Sequence, residues 1–221
     1  GLYAHQAGMG AMTNPTALRG YQGHINRNCV TIAEVLKTAG YATFMSGKWH
    51  LAENKNKTAN GSKANWPRQR GFDRFFGTIA GAGSFFMPAT LTLDNEPITK
   101  FPKDFYYTTA IGEHGVRFIC EHTAKKSKQP FFLYVPFTAP HWPMHALEKD
   151  RAKYKGKYNA GWDAMRRARY ARQLKMGLID PKWKMTARDR RAPKWEAASN
   201  REWEIALMET YAAMVDNLDQ G

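Results

Sequence analysis

Thr31-Ile32-Ala33-Glu34-Val35-Leu36-Lys37-Thr38-Ala39-Gly40-Tyr41-Ala42-Thr43-Phe44-Met45-Ser46-Gly47-Lys48-Trp49-His50-Leu51 is the stretch that decides the fold. Thr31 and Glu34 have capping-box spacing: the hydroxyl can accept from the Glu34 backbone while the carboxylate reaches back to the Thr31 N–H. Ile32, Val35 and Leu36 give an apolar face at helical spacing, and Gly40 supplies a left-handed stop. The spacing predicts a helix over 31–39 and a strand over 41–46. Lys48 and His50 then lie just past the carboxyl end of the strand, where open α/β sheets bind ligands. Two residues apart on an extended chain, they face the same way. An ammonium and an imidazole aimed at one point suit an oxyanion such as sulfate or phosphate. Taken alone, the two residues read more simply as a surface lysine beside a partly buried histidine, and it is their surroundings that favour a site.

Working outward, Phe131-Phe132-Leu133-Tyr134-Val135 is a continuous apolar run between Pro130 and Pro136, which predicts a strand buried on both faces. Residues 105–124 read as a helix with Ile111, Gly115, Phe118 and Ile119 near its buried face. Residues 201–220 read as a long helix with Trp203, Leu207, Tyr211, Met214, Val215 and Leu218 as its apolar stripe. Residues 52–70 read as a polar loop, Gly71-Phe72-Asp73-Arg74-Phe75-Phe76-Gly77 as a packed turn, and Asp94-Asn95-Glu96-Pro97 as a turn after the alternating run Thr90–Leu93. Alternation of helix and strand indicates an α/β domain with a mostly parallel sheet.

The second buried strand runs into Phe137-Thr138-Ala139-Pro140-His141-Trp142-Pro143. Pro140 and Pro143 bracket His141 and restrict its backbone, a mount that suits a positioned acid or base. A histidine packing on Trp142 in a proline-rich loop is an equal reading of His141 alone. His141 and His145 have the spacing of a helical zinc pair, but Pro143 between them argues against a helix and no zinc site is expected. His5, His24, His114 and His122 read as surface or packing residues. Cys29 and Cys120 read as free structural thiols.

The chain has 221 residues and a formal net charge of +14, with 43% hydrophobic residues. That length allows one sizeable core, and no apolar run approaches a membrane span. The positive charge concentrates between Arg151 and Lys194, where only Asp163, Asp180 and Asp189 oppose a crowd of lysines and arginines interleaved with Tyr154, Tyr158, Trp162, Tyr170 and Trp183. Such a stripe binds polyanions or is simply a solvated face. It carries no zinc-finger or RNA-recognition signature, so a nucleic-acid partner is not expected.

Together these pieces resemble the type I sulfatases, the arylsulfatase-like branch of the alkaline-phosphatase superfamily. The matching segments are Ala4–Gly10, Thr31–Leu36, Gly47-Lys48-Trp49-His50-Leu51, Gly71-Phe72-Asp73, Thr138-Ala139-Pro140-His141-Trp142-Pro143 and Tyr211–Asp216, in family order along the chain. The resemblance implies an alkaline-phosphatase-like α/β fold, its mostly parallel sheet sandwiched by helices and incomplete at both ends. It implies hydrolysis of sulfate esters by a formylglycine nucleophile and a calcium ion. On that pattern Lys48 contacts the sulfate and the formylglycine hydroxyl. His50 holds that hydroxyl and helps collapse the sulfated intermediate, and His141 serves the leaving alcohol. Lys48 and His141 are thus also substrate-binding residues.

The chain departs from the pattern in having no Cys/Ser-x-Pro-Ser/Thr-Arg motif, and Cys29, followed by Val30-Thr31-Ile32, is not the nucleophile. Nucleophile and metal ligands are therefore expected outside this chain, and Asp216-Asn217, on an amphipathic helix, is rejected as a ligand pair. Residues 1–221 read as the interior of one sulfatase N-terminal catalytic domain, with 151–200 a basic, aromatic-rich insertion-like segment. Alone, the chain is expected to be inactive and to bind calcium weakly or not at all. The resemblance implies a periplasmic, secreted or lysosome-like compartment. A phosphodiesterase or phosphonate hydrolase of the same superfamily, or a non-enzymatic basic polyanion-binding module, is the alternative. In a joined reading, Arg166, Arg167 and Arg169 steer a polyanionic sulfated glycan into the site.

Overall fold

The structure is a computed structural model that describes residues 1–58, 60–125 and 128–221. Ala59, inside the 52–70 loop, lies outside the described residues. The chain divides into two compact units, Gly1–His145 with Asn217–Gly221, and Ala146–Asp216.

The first unit is built on the helix–strand stretch. Helix α1 spans Ile32–Thr38 and strand β1 spans Ala42–Ser46. Thr31 caps α1 as expected: its Oγ1 accepts from Glu34 N at 3.0 Å, and Glu34 Oε2 accepts from Thr31 N at 2.7 Å. Gly40 sits at φ 80°, the left-handed conformation that releases the chain into the strand. Strands β2 (Arg74–Thr78), β3 (Leu91–Leu93), β4 (Glu96–Pro97) and β5 (Phe131–Tyr134) complete one sheet in the order β4-β3-β2-β1-β5. β5, β1 and β2 run parallel, whereas β2, β3 and β4 form an antiparallel meander, so the sheet is mixed.

Alternation along the strands separates two cores. Met45 and Phe75, paired across β1 and β2, point to the side that α1 covers, where Ala33, Trp49, Trp66, Phe72 and Ile79 pack with them. Phe44, Ser46 and Phe76 point to the opposite side, covered by helix α2 (Tyr107–Ala124). There Phe44 meets Phe118 at 6.0 Å between ring centroids, Ser46 Oγ donates to Ile111 O at 2.6 Å, and His114 stacks on Phe76 at 3.6 Å. Helices on both faces are the sandwich that the family resemblance implied.

Several expectations need correction. β5 is not buried on both faces: it is the edge of the sheet, with Phe131 39% and Tyr134 45% exposed, because no described strand pairs along its outer side. Its apolar run reads as interior all the same, since composition does not reveal how many neighbours a strand has. Gly71–Gly77 is not only a turn. Gly71 turns at φ 95°, and Arg74 onward is β2. Glu96 and Pro97 belong to β4, leaving Asp94 and Asn95 as the hairpin turn. The 52–70 loop contains two single 3-10 turns, at Asn54–Asn56 and Pro67–Arg70.

The second unit holds helix α3 (Glu148–Ala152), helix α4 (Gly161–Lys175) and most of helix α5 (Arg201–Gln220). The basic stripe is thus partly helical, which its charge pattern did not reveal. On α5 the buried residues are Ala212, Ala213, Met214 and Asn217, while Trp203, Tyr211 and Val215 are exposed. Met214 of the expected stripe is buried, with Ala212 and Ala213 beside it, whereas its aromatic members and Val215 are exposed.

Candidate active site

Three parallel strands end side by side, and the loops that leave them carry the candidate residues. Gly47-Lys48-Trp49-His50 continues β1 and keeps bonding to both neighbours. Gly47 N donates to Phe76 O at 2.7 Å, Lys48 N to Pro136 O at 2.8 Å, Trp49 N to Thr78 O at 2.9 Å and His50 N to Ile79 O at 3.1 Å. Such close approach requires glycine. A Cβ on Gly47 would lie 2.2 Å from Pro136 O, and one on Gly77 would lie 1.7 Å from Gly47 O. Trp49 is driven into the core, where Nε1 donates to Asn65 O at 2.6 Å, and this anchors the segment between Lys48 and His50.

The extended-chain argument for Lys48 and His50 does not hold as stated. His50 is left-handed at φ 56°, so the two do not align by simple alternation. They are close all the same. Burial lowers the pKa of His50 to about 4, helped by the positive charges of Lys48 and Lys57 and by the nearby His141 ring. Burial also pulls the Lys48 ammonium below the usual lysine range, and among the described residues no hydrogen bond or ion pair holds its Nζ. An uncompensated, half-buried cation beside a neutral imidazole is a site that favours an incoming anion.

His141 follows β5. Its N–H donates to Thr138 O at 3.0 Å, its Nδ1 lies 2.6 Å from Trp142 O, and its ring packs on Trp142 at 5.2 Å. Against a carbonyl oxygen Nδ1 is the donor, which leaves Nε2 as the ring nitrogen open to other partners. The ring packs on Trp142, as the packing reading expects, and it lies near enough to His50 to act on it electrostatically. His145 is not its partner in a metal site. The His145 Nδ1 accepts from Phe85 N at 3.4 Å, and the segment between them is not helical.

Two residues that the sequence reading passed over, Gly81 and Thr13, meet His50, and Lys57 and Asn54 stand behind Thr13. Gly81, after β2, lies against the imidazole, where a Cβ would come within 2.3 Å of Cε1. Thr13, 4% exposed, places Oγ1 3.5 Å from Nε2. Lys57 and Asn54 bond to one another and to Thr13. No spacing could have singled them out, because Thr13 is 37 residues from His50 and Lys57 looks like every other lysine of a polar loop.

Among the described residues no three His, Cys, Asp or Glu side chains converge to hold a metal ion. Asp216 pairs with Lys153 at 2.9 Å, and Asn217 Oδ1 accepts from Thr109 at 3.3 Å, so both are engaged elsewhere. Cys29 and Cys120 are unpaired. Among the other histidines, His5 bonds to Tyr21 Oη at 3.0 Å, His24 pairs with Glu53 at 2.6 Å, and His122 bonds to Gln129 O at 2.8 Å.

The family model for sulfatases matches residues 1–221. The chain belongs to the sulfatase family. A sulfatase of Schizosaccharomyces pombe is 33% identical over 97% of the chain and 42% of its own length, and the Klebsiella aerogenes arylsulfatase is 32% identical over 97% of the chain and 47% of its own length. The chain thus spans less than half the length of these relatives. Among solved structures, a Bacteroides fragilis protein assigned to the sulfatases, yidJ, superposes with a TM-score of 0.60 at 17% identity, covering 99% of the chain and 46% of that structure. The enzyme BT4656, solved with its substrate D-glucosamine-2-N,6-O-disulfate, superposes with a TM-score of 0.52 at 16% identity, covering 99% of the chain and 50% of that structure. These likenesses carry the fold: an α/β architecture of the alkaline-phosphatase-like sulfatase type.

Proposed function

We propose that this chain supplies one side of the active site of an enzyme that hydrolyses sulfate esters. The observation that carries the reading is Lys48, a half-buried ammonium without a counterion among the described residues, set beside His50 and His141 at the carboxyl ends of parallel strands. Lys48 meets the sulfate oxygens. His50, neutral at ordinary pH, accepts a proton there. His141 serves the leaving oxygen, on which negative charge builds as the S–O bond breaks, and a positioned donor stabilises that charge.

Formylglycine and calcium belong to this reading through the family resemblance. Among the described residues no three His, Cys, Asp or Glu side chains converge, and no motif for the modification lies in this sequence, so this reading assigns both to residues outside these 221. Residues 1–221 are then the interior of a single catalytic domain, with 151–200 a basic segment within it.

The finer substrate reading is a polyanionic sulfated glycan. Its support is a groove in the second unit lined by Tyr154, Tyr158, Trp162, Tyr211, Arg166 and Arg169, which pairs flat apolar rings for sugar faces with guanidinium groups for sulfate. The sulfated amino sugar bound by BT4656 agrees with this class.

The test compares the complete protein on 4-nitrophenyl sulfate and on bis(4-nitrophenyl) phosphate. A higher kcat/KM on the sulfate ester is expected. A higher kcat/KM on the phosphodiester assigns the chain to the other hydrolases of this superfamily, and activity on neither returns it to a polyanion-binding role.

A further inference from the structure

Beside His50 stands a small polar network that the expected chemistry does not use. A single 3-10 turn at Asn54–Asn56, held by Trp66 Nε1 donating to Asn56 O at 2.8 Å, brings Lys57 back over Asn54. Lys57 Nζ donates to Asn54 Oδ1 at 2.6 Å and to Thr13 Oγ1 at 3.2 Å. Asn54 Nδ2 in turn donates to Asn14 Oδ1 at 3.4 Å, so the amide presents its oxygen to Lys57. The buried Thr13 hydroxyl accepts from Lys57 and has one proton to give. Within reach of that proton are His50 Nε2 at 3.5 Å and Asn54 Oδ1 at 3.4 Å, an oxygen that also accepts from the ammonium.

We propose that Lys57 is a positioning residue for His50: braced by Asn54, its ammonium fixes the Thr13 hydroxyl beside Nε2 and holds the imidazole in its proton-accepting form. The inference rests on His50 being the proton acceptor of the proposed reaction. The charged and titratable groups that face His50 are Lys48 on its own segment, His141 after β5 and Lys57 from the 52–58 loop. Lys48 and Lys57 differ in one respect. Among the described residues Lys48 Nζ has no partner, so an anionic substrate binds it and cancels its effect on the imidazole. Lys57 is held in place by two neutral partners, Thr13 and Asn54, so its charge remains beside the imidazole when substrate binds Lys48. That residual charge opposes the rise in basicity that a bound sulfate would cause, and the hydroxyl at Nε2 favours the tautomer with its proton on Nδ1.

The test uses the complete protein with 13C-labelled histidine rings, assigning His50 by its loss in His50→Ala. In Lys57→Met the titration midpoint of His50 should rise by about half a pH unit or more, and the acidic limb of kcat/KM against pH should move up with it. Lys57→Arg, which keeps the charge, should restore both. Thr13→Val, an isostere that leaves Lys57 charged, should lower kcat/KM about tenfold with the acidic limb near its original place. An unmoved midpoint in Lys57→Met overturns the proposal, as does full activity in Thr13→Val. If the midpoint moves while His50→Ala keeps full activity, the network stands and the catalytic reading of His50 fails.

Discussion

Gly81 and His50 are in direct contact: the imidazole lies where a side chain on residue 81 would have to go, with a Cβ only 2.3 Å from Cε1. Real Cβ contacts do not reach that distance, and the ring, not the buried backbone, is free to yield. Gly81→Ala is therefore expected to displace the His50 ring while leaving the sheet intact. A misplacement of this size costs about 100-fold in rate. The complete protein should lose kcat/KM to that extent with an unchanged unfolding midpoint, and unchanged kinetics would show that the ring position is not used.

Arg70, 1% exposed, ties the loop before β1 to the capping box of α1. Its Nε donates to Glu34 Oε1 at 2.9 Å and its Nη1 to Ile25 O at 3.1 Å, and a further bond reaches Cys29 O. Glu34, held below the usual carboxylate range by Arg70 and Thr31 against the opposing effect of burial, serves both Arg70 and the helix N-terminus. Arg70→Met strands several polar partners, and the loss should be about 3–5 kcal/mol in urea unfolding. A loss under about 1 kcal/mol would mean that water replaces the guanidinium at little cost.

Acid should weaken the fold before the carboxylates titrate. His50 and His114 are both held near pKa 4, chiefly by burial, against 6.5 for the unsettled ring. Between those values the unfolded chain binds protons that the folded chain refuses, so stability falls as pH drops from about 6.5 to about 4 and levels off below. The loss should be about 1–2 kcal/mol in all once solvent screening is allowed for. Urea midpoints at pH 7 and pH 5 check this, with His114→Leu expected to reduce the difference. Equal midpoints at both values would contradict it.

The basic face permits a cleaner test than its composition suggests. Arg166 is engaged in structure, with Nη2 2.7 Å from Thr186 Oγ1 and bonded to Thr186 O, whereas Arg167 and Arg169 are exposed. Arg167→Glu with Arg169→Glu should lower kcat/KM on a sulfated polysaccharide about tenfold or more and leave 4-nitrophenyl sulfate within about twofold. Equal effects on both substrates would remove the steering role.

The helix–strand core was legible because its signals are local: a capping box, a glycine stop and an apolar run within twenty residues of chain. Lys48 and His50 could be placed from the sequence because they follow β1 within four residues, and His141 because it lies on the loop that leaves β5. What was not legible depends on distant chain. The edge position of β5 depends on which strand lies next to it, and which members of the α5 stripe are buried depends on what packs against that helix. Thr13, Lys57 and Gly81 reach His50 only through the fold, and the left-handed turn at His50 replaces the alternation from which its direction was first inferred.

The central claim is that Lys48, His50 and His141 face one sulfate ester. The most direct measurement is kcat/KM of the complete protein on 4-nitrophenyl sulfate for Lys48→Met, with circular dichroism showing that the variant is folded. The account predicts a loss of about 1,000-fold, the scale of removing a charge aimed at the reacting group. A folded Lys48→Met variant that retains activity within about twofold would contradict it.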